Sequence, residues 1–490
     1  MVSGRVLSII AEATVFRRRT RVGMLIVATA HAAGGKMFCN RIAGRSRKAI
    51  TACVLAISGA ISLTGAAWGP PQAETVTVYH GATLIDGTGA APRPGMSVVV
   101  QGSHIAGVMP DAEAPEGIRI DMAGLHVLPG LIDAHVHLAT PPDAARARRL
   151  LRRQLYSGVT AVRSMADDVR SVAELSRQAA TGEIPAPDIV YAALMAGPGF
   201  FDDPRTIAVT RGGVPGQTPW MQAIDTDTDL VQAVAIARGT GAAGIKVYAD
   251  LPADTLARIV AEAHRQGVPV WAHAAVFPAL PMDGVQAGVD VVSHSCPMAY
   301  QASARPPNDY AEWTAVEEDA FADGVPLILT ELLARMAERG TVLDATVRVH
   351  VEHATRYAQD SSGRPPRCSA ELTYLLTREA YLQGVPIAAG TDGETAPEAD
   401  FPALHEELEM LAGPVGMAPM DVLVSATRNA ARALGHEQEM GTVEVGKRAN
   451  LVFVHGDPLE RVHNLRNVVL TVKAGRSYPR ADFIQTAEES

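Results

Sequence analysis

Short runs of apolar and β-branched residues at 75–79, 82–85, 97–101 and 104–109, separated by Gly and Pro turns, predict a small sheet near the start of the folded chain. The same texture returns at 441–445, 451–454 and 468–473. Two flanks of one texture predict a single β-sandwich domain built from residues 74–128 and 437–490. Over 129–436 the pattern changes to apolar strands alternating with amphipathic helices. A strand at 158–162 precedes a helix over 172–180, a strand at 244–248 precedes one over 253–266, and further strands fall at 268–273, 289–294, 342–345 and 385–390. Repeated β-α units imply a parallel sheet wrapped in helices, and about 300 residues suit an α/β fold of the (β/α)8 TIM-like barrel type. A doubly wound open sheet is the rival. The Gly-rich phosphate loop expected after its first strand is missing, which counts against it.

Composition narrows the class. The 490 residues are 47% hydrophobic, without repeated apolar runs of membrane-spanning length, which describes a folded chain rather than a disordered or polytopic one. Ten of the 43 Lys/Arg but only one of the 53 Asp/Glu lie in residues 1–73, so the remainder carries 33 basic against 52 acidic side chains. A surface that acidic repels phosphates and argues against a nucleic-acid partner. Arg41, Arg45, Arg47 and Lys48 precede an apolar run at 49–68 that ends in small residues, the three parts of an export signal. Residues 1–73 therefore read as an N-terminal extension with a signal segment, with Met37 as the expected true start. A periplasmic or secreted enzyme without stable membrane insertion after signal cleavage is the expectation, with an uncleaved anchor as the alternative. Cys296 and Cys368 remain after cleavage, and the sequence leaves their pairing open.

Candidate chemistry sits at the ends of the predicted barrel strands, where such barrels carry their active sites. His135 and His137 are two apart on one strand and face the same side. Alone, such a pair is often ordinary core. Lys246 lies in the middle of the apolar strand GIKVY, where an ammonium needs a buried partner or conversion by carbon dioxide to an anionic carbamate. His273 and His294 each end an apolar strand, and Asp392 ends PIAAGTD, where a helix N-cap is the plain alternative. Together, four His, one Lys and one Asp at consecutive strand ends are a poor fit to chance.

This order, His-x-His, Lys, His, His, Asp, resembles the binuclear-metal amidohydrolase superfamily from about residue 75 to 476. The phrases LPGLIDAHVH (128–137), LHEEL (404–408), ATRNAA (426–431), GTVEVGK (441–447) and ANLV (449–452) carry the resemblance. It implies two divalent metals, zinc being the expected ion although Mn or Co would accept the same ligands. His135, His137 and Asp392 would hold one and His273 and His294 the other, with Lys246 as a bridging N6-carboxylysine. It also implies a metal-bridging hydroxide as nucleophile and Asp392 as the proton shuttle. No acid follows His273 in the stretch Ala274, Ala275, Val276, Phe277, which disfavours the deaminase branch.

GVTAVR (158–163), the Lys246-Val247-Tyr248 triplet and the phrase around His405 resemble the imidazolonepropionase-like subgroup, which includes Xaa-Pro and Xaa-Arg dipeptidases and carboxypeptidase-like enzymes. Ser164 departs from the Arg-Asp usual after that strand. The resemblance implies hydrolysis of the amide bond of a dipeptide or N-acyl amino acid. A lactone, ester or carbamate hydrolase is the rival reading, and a non-catalytic scaffold is disfavoured because all six ligands are present. Tyr248 is expected to bind substrate and stabilise the oxyanion, or simply to pack at the rim. Arg163 is expected to pair a substrate carboxylate, or to form a surface ion pair. His405 is expected to orient Asp392 or touch substrate, or to be an exposed helix-start residue. Phe200 and Phe201, in the loop 196–205, are expected to wall an acyl group or to pin the loop; 301–325 forms a second mouth loop. The expected partner is a small amide, with a homo-oligomeric assembly.

Overall fold

A computed structural model describes residues 75–483, so the export segment and the start at Met37 lie outside the described residues. No helix among the described residues is long and apolar enough to cross a membrane. Strands from both flanks form one eight-stranded sheet. Val76–Leu84 pairs antiparallel with Arg93–Gln101 and parallel with Leu125–Pro129, which in turn pairs antiparallel with Leu451–His455 from the C-terminal flank. Leu451–His455 continues the sheet to Val468–Lys473 and Arg476–Pro479. The far strand, His104–Pro110, meets the C-terminal flank through Ile105 N to Lys447 O at 2.9 Å, so the sheet curls around a core of Tyr79, Val98, Val127, Leu451, Phe453 and Val472.

The expected strand at 441–445 is a loop. Gly441 has φ +91°, and a Cβ there would press on Ala431 and the Thr427 carbonyl, so the segment packs against the helix Arg428–Leu434 instead of joining a ladder. The bond from Val443 N to Asp86 O at 2.9 Å and the burial of Val443 in the sheet's apolar core tie it to the sheet domain.

Eight parallel strands make the barrel: β1 (Leu131–Val136), β2 (Val159–Ser164), β3 (Asp188–Ala196), β4 (Gly244–Val247), β5 (Val270–His273), β6 (Val291–Ser293), β7 (Val342–Asp344) and β8 (Ile387–Ala388). Each pairs with the next. Ala134 N to Ala389 O and Asp392 N to His135 O, both 2.9 Å, bring β8 back to β1. Every residue of β1 and β2 is buried, as both faces of a barrel strand must be. Helices cover the outside: Ala253–Arg265 turns Leu256, Ile259, Val260 and Ala263 inward at helical spacing. Asp143 and Asp168 cap Ala144–Tyr156 and Val169–Thr181 by accepting backbone N–H bonds from Arg146 and Arg170.

The loop 196–205 contains a 3-10 turn, Pro198–Asp202, and enters the helix Pro204–Val209. Cys296 and Cys368 form a disulfide across 72 residues of sequence. Closing a loop of that length stabilises a fold by about 4 kcal/mol in the chain-entropy picture.

Candidate active site

The strand ends deliver their side chains to one point. The ligand atoms of His135, His294 and Asp392 all lie within 4.8 Å of one another. His137 Nε2 is 3.0 Å from Asp392 Oδ1, Lys246 Nζ is 3.3 Å from His135 Nε2, and the ring of His273 stands 4.7 Å from that of His294. Two of these residues, His294 (φ 78°) and Asp392 (φ 47°), take left-handed backbone conformations at the ends of their strands. For a side chain with a Cβ such conformations cost on the order of 1–3 kcal/mol each, and they persist where the surroundings hold them for function. Gly390 makes the crossing possible, because a Cβ there would collide with the Asp344 carboxylate and the His135 side chain.

Around this cluster a second set of groups fixes the imidazoles. His135 Nδ1 donates to Asp344 Oδ2 at 2.7 Å and His273 Nδ1 donates to the Ala275 carbonyl at 2.9 Å, so both rings turn Nε2 toward the centre. His294 Nδ1 meets Thr346 Oγ1 at 2.8 Å, and Asp167 stands 3.7 Å from His137 Nδ1. Four imidazoles and a carboxylate, converging with their orienting partners, are N and O donors of the kind that divalent transition metals take.

Burial dominates the electrostatics. It pushes the Lys246 ammonium down to about 8, although Asp392 and Asp344 oppose the shift. It also pushes His273 and His294 well below the ordinary imidazole value, which keeps their lone pairs free. For Asp392, burial favours the acid form, but His135, His137 and His294 outweigh it and hold the carboxylate ionised. For His137, burial is overcome by Asp167 and Asp392, which raise its pKa to about 9.

Two expected site residues lie elsewhere. Arg163 is fully buried inside the barrel: Nε donates to Ala134 O at 2.7 Å, Nη1 to Ala433 O at 3.0 Å and Nη2 to Asp344 Oδ2 at 3.1 Å, and its guanidinium lies over Trp271. It has no surface to offer a substrate, because alternation along β2 turns it into the barrel interior. His405, third residue of the helix Ala403–Ala412, is buried with its ring 5.0 Å from that of Phe401. Burial and then Arg466 push its pKa down to about 3, and neither it nor those neighbours line the site's cavities.

The sequence profile of the amidohydrolase family matches residues 126–477. The chain belongs to the amidohydrolase family. As such it is a hydrolase acting on C–N bonds. Imidazolonepropionase from Klebsiella pneumoniae (strain 342) is 24% identical over 385 residues, 75% of this chain and 88% of that protein. Among solved structures, a Xaa-Pro dipeptidase with methionine bound in its active site superposes with a TM-score of 0.65 at 24% identity, covering 83% of this amidohydrolase and all of that chain. The A. niger ochratoxinase also gives a TM-score of 0.65, at 21% identity, covering 83% of this chain and 96% of its own.

A large cleft and a small apolar pocket open on this amidohydrolase's side-chain cluster. A cleft of about 700 Å³ is lined by His273, His294 and Asp392 together with Tyr310, Trp313 and Arg367. A pocket of about 80 Å³ is lined by Leu194, Phe200, Val209 and Met221 together with His137 and Lys246. Tyr248, Arg205, His294 and Asp392 line both. Phe200 packs on Tyr248 with centroids 4.7 Å apart, while Phe201 packs edge-on behind Phe200. Tyr248 Oη is 3.0 Å from Tyr310 Oη.

Sequence reasoning missed Asp344, Asp167, Tyr310 and Arg367. Asp344 ends an apolar strand as Asp392 does, so the same signal marks it. Tyr310 and Arg367 come from irregular segments whose direction no periodicity encodes.

Proposed function

We propose that this amidohydrolase is an exported, metal-dependent enzyme that cleaves the amide bond of a dipeptide or N-acyl amino acid. The observation that carries the reading is the convergence of His135, His137, Lys246, His273, His294 and Asp392 at the mouth of one barrel. His135, His137 and Asp392 would hold one divalent ion, zinc by preference, and His273 and His294 a second. Lys246, its amine already inclined to lose its proton, would bridge them as a carbamate. Bound metals would supply an acidified water and a Lewis acid for the scissile carbonyl.

The chain's own residues do the rest. Asp392, held ionised and facing both cavities, accepts the attacking water's proton and returns it to the leaving amine. The Tyr248 phenol, kept protonated because burial and then Tyr310 push its pKa well up, donates a hydrogen bond to the oxygen that becomes negative at the tetrahedral stage. The wall of Leu194, Phe200 and Met221 excludes water from the acyl side. Export is supported by the basic and apolar leader and by the Cys296–Cys368 disulfide, a bond that persists in oxidising compartments.

The deciding experiment is elemental analysis of chelator-free protein together with turnover of matched amide, ester and lactone panels. About two metals per chain with amide cleavage is expected. Turnover of esters or lactones alone would overturn the substrate class.

A further inference from the structure

The cleft carries several arginines, and one of them is buried without a carboxylate partner among the described residues. Arg205 is held in a two-pronged bond to Asp203, with Nη2 at 2.7 Å, and Arg356 faces Glu352 at 3.6 Å. Arg364 is exposed to solvent. Arg367 is only 7% exposed, and among the described residues no carboxylate pairs with it. Its Nη1 donates to Tyr300 Oη at 2.9 Å, but Nη2 is buried without a hydrogen-bond partner. Leaving a guanidinium buried with a free donor and no carboxylate partner is costly unless an anion compensates it.

Its direction is also fixed. The guanidinium stacks 4.1 Å from the Trp313 ring centroid and 5.4 Å from that of Tyr310, whose ring stands 6.1 Å from His273. Arg367 adjoins Cys368, and the disulfide ties that position to Cys296, two residues beyond His294. The anion site therefore belongs to the His273–His294 side of the cluster. The apolar pocket of Leu194, Phe200 and Met221 adjoins His137 and Lys246, with His294 shared between the two cavities.

We propose that Arg367 receives the free carboxylate of the substrate, so that the enzyme selects amides whose amine side is an amino acid with an uncapped carboxyl group and whose acyl side is apolar. A carboxylate matches the planar guanidinium edge and supplies the missing acceptor. This inference rests on the amide-hydrolase reading above, and it assigns to Arg367 the contact that the sequence pattern placed on Arg163.

The test compares an N-benzoyl amino acid with its neutral carboxamide. Wild-type enzyme is expected to favour the acid by about 100-fold in kcat/KM, and R367M to reduce that ratio by about 100-fold, with R367K losing about 10-fold. An unchanged ratio in R367M, measured on protein with wild-type melting behaviour, overturns the proposal. Calorimetric binding of the same two ligands to wild-type protein needs neither turnover nor a variant that folds. Tighter binding of the acid by about tenfold or more supports the anion site, and equal affinities overturn it. If neither ligand is hydrolysed while the acid still binds selectively, the hydrolase reading fails and the anion site stands.

Discussion

Arg163 and Asp344 form an ion pair sealed inside the barrel, Nη2 to Oδ2 at 3.1 Å with both side chains fully buried. The same carboxylate oxygen accepts the Nδ1–H of His135 at 2.7 Å and the Ser293 hydroxyl at 3.0 Å. One aspartate thus orients a candidate metal ligand and neutralises a core arginine. That coupling makes stability and metal binding inseparable at this position.

Asp344→Asn is accordingly expected to leave Arg163 uncompensated and to cost about 3–5 kcal/mol of folding free energy. It should also weaken metal binding by about 10- to 100-fold, because an uncharged amide oxygen is a weaker acceptor for the His135 Nδ1–H than the carboxylate is. Urea denaturation and metal titration of the variant check both.

Lys246→Ala is expected to lose metal and activity together, with partial recovery on adding short carboxylic acids that can stand where the carbamate would. Metal content and turnover measured with and without the acid decide it. Retention of two tightly bound ions in the variant would defeat the bridging role.

His405 should govern acid stability and not catalysis. Its folded pKa, about 3, lies below the unfolded value of about 6.5, so its contribution is whole above pH 6.5. The contribution is lost as pH falls from 6.5 toward 3, because the unfolded chain binds the proton first. By pH 4.5 this penalty amounts to about 2–3 kcal/mol. His405→Leu is expected to flatten that part of the stability profile in urea midpoints measured from pH 8 to 4.5, and to leave kcat near the wild-type value. A collapse of kcat with unchanged stability would restore a catalytic role.

Reduction of the Cys296–Cys368 bond should loosen Arg367, which adjoins it, while Val316 N to Arg367 O at 2.8 Å remains as a weaker tether. The expected result is a rise in KM of about 10-fold for a substrate with a free carboxylate, larger than for its carboxamide. The Cys368→Ser variant should show the same split. Steady-state kinetics before and after dithiothreitol read it out.

The barrel and its metal-ligand candidates were legible because both depend on local rules. A strand buried on two faces must be apolar throughout, so a Lys, His or Asp at its end stands out, and the five strand ends carrying His135, Lys246, His273, His294 and Asp392 could be read one by one. Arg163 and His405 misled for the same reason. Each is a polar residue at an element's end, and whether it faces the mouth, the interior or a neighbouring helix depends on barrel closure and helix packing.

By itself the sequence determined the alternation of strands and helices, the sheet built from both flanks and the residue types at the strand ends, all set by hydrophobic period and turn chemistry over a few residues. Only the tertiary structure decided which arginine is spent on the core and which is left facing the cleft. Arg163 finds Asp344 across 181 positions of sequence, whereas Arg367 is brought beside Tyr300, Trp313 and the cleft by a disulfide and two irregular segments. Such partners are chosen by packing in three dimensions, and no local pattern records them.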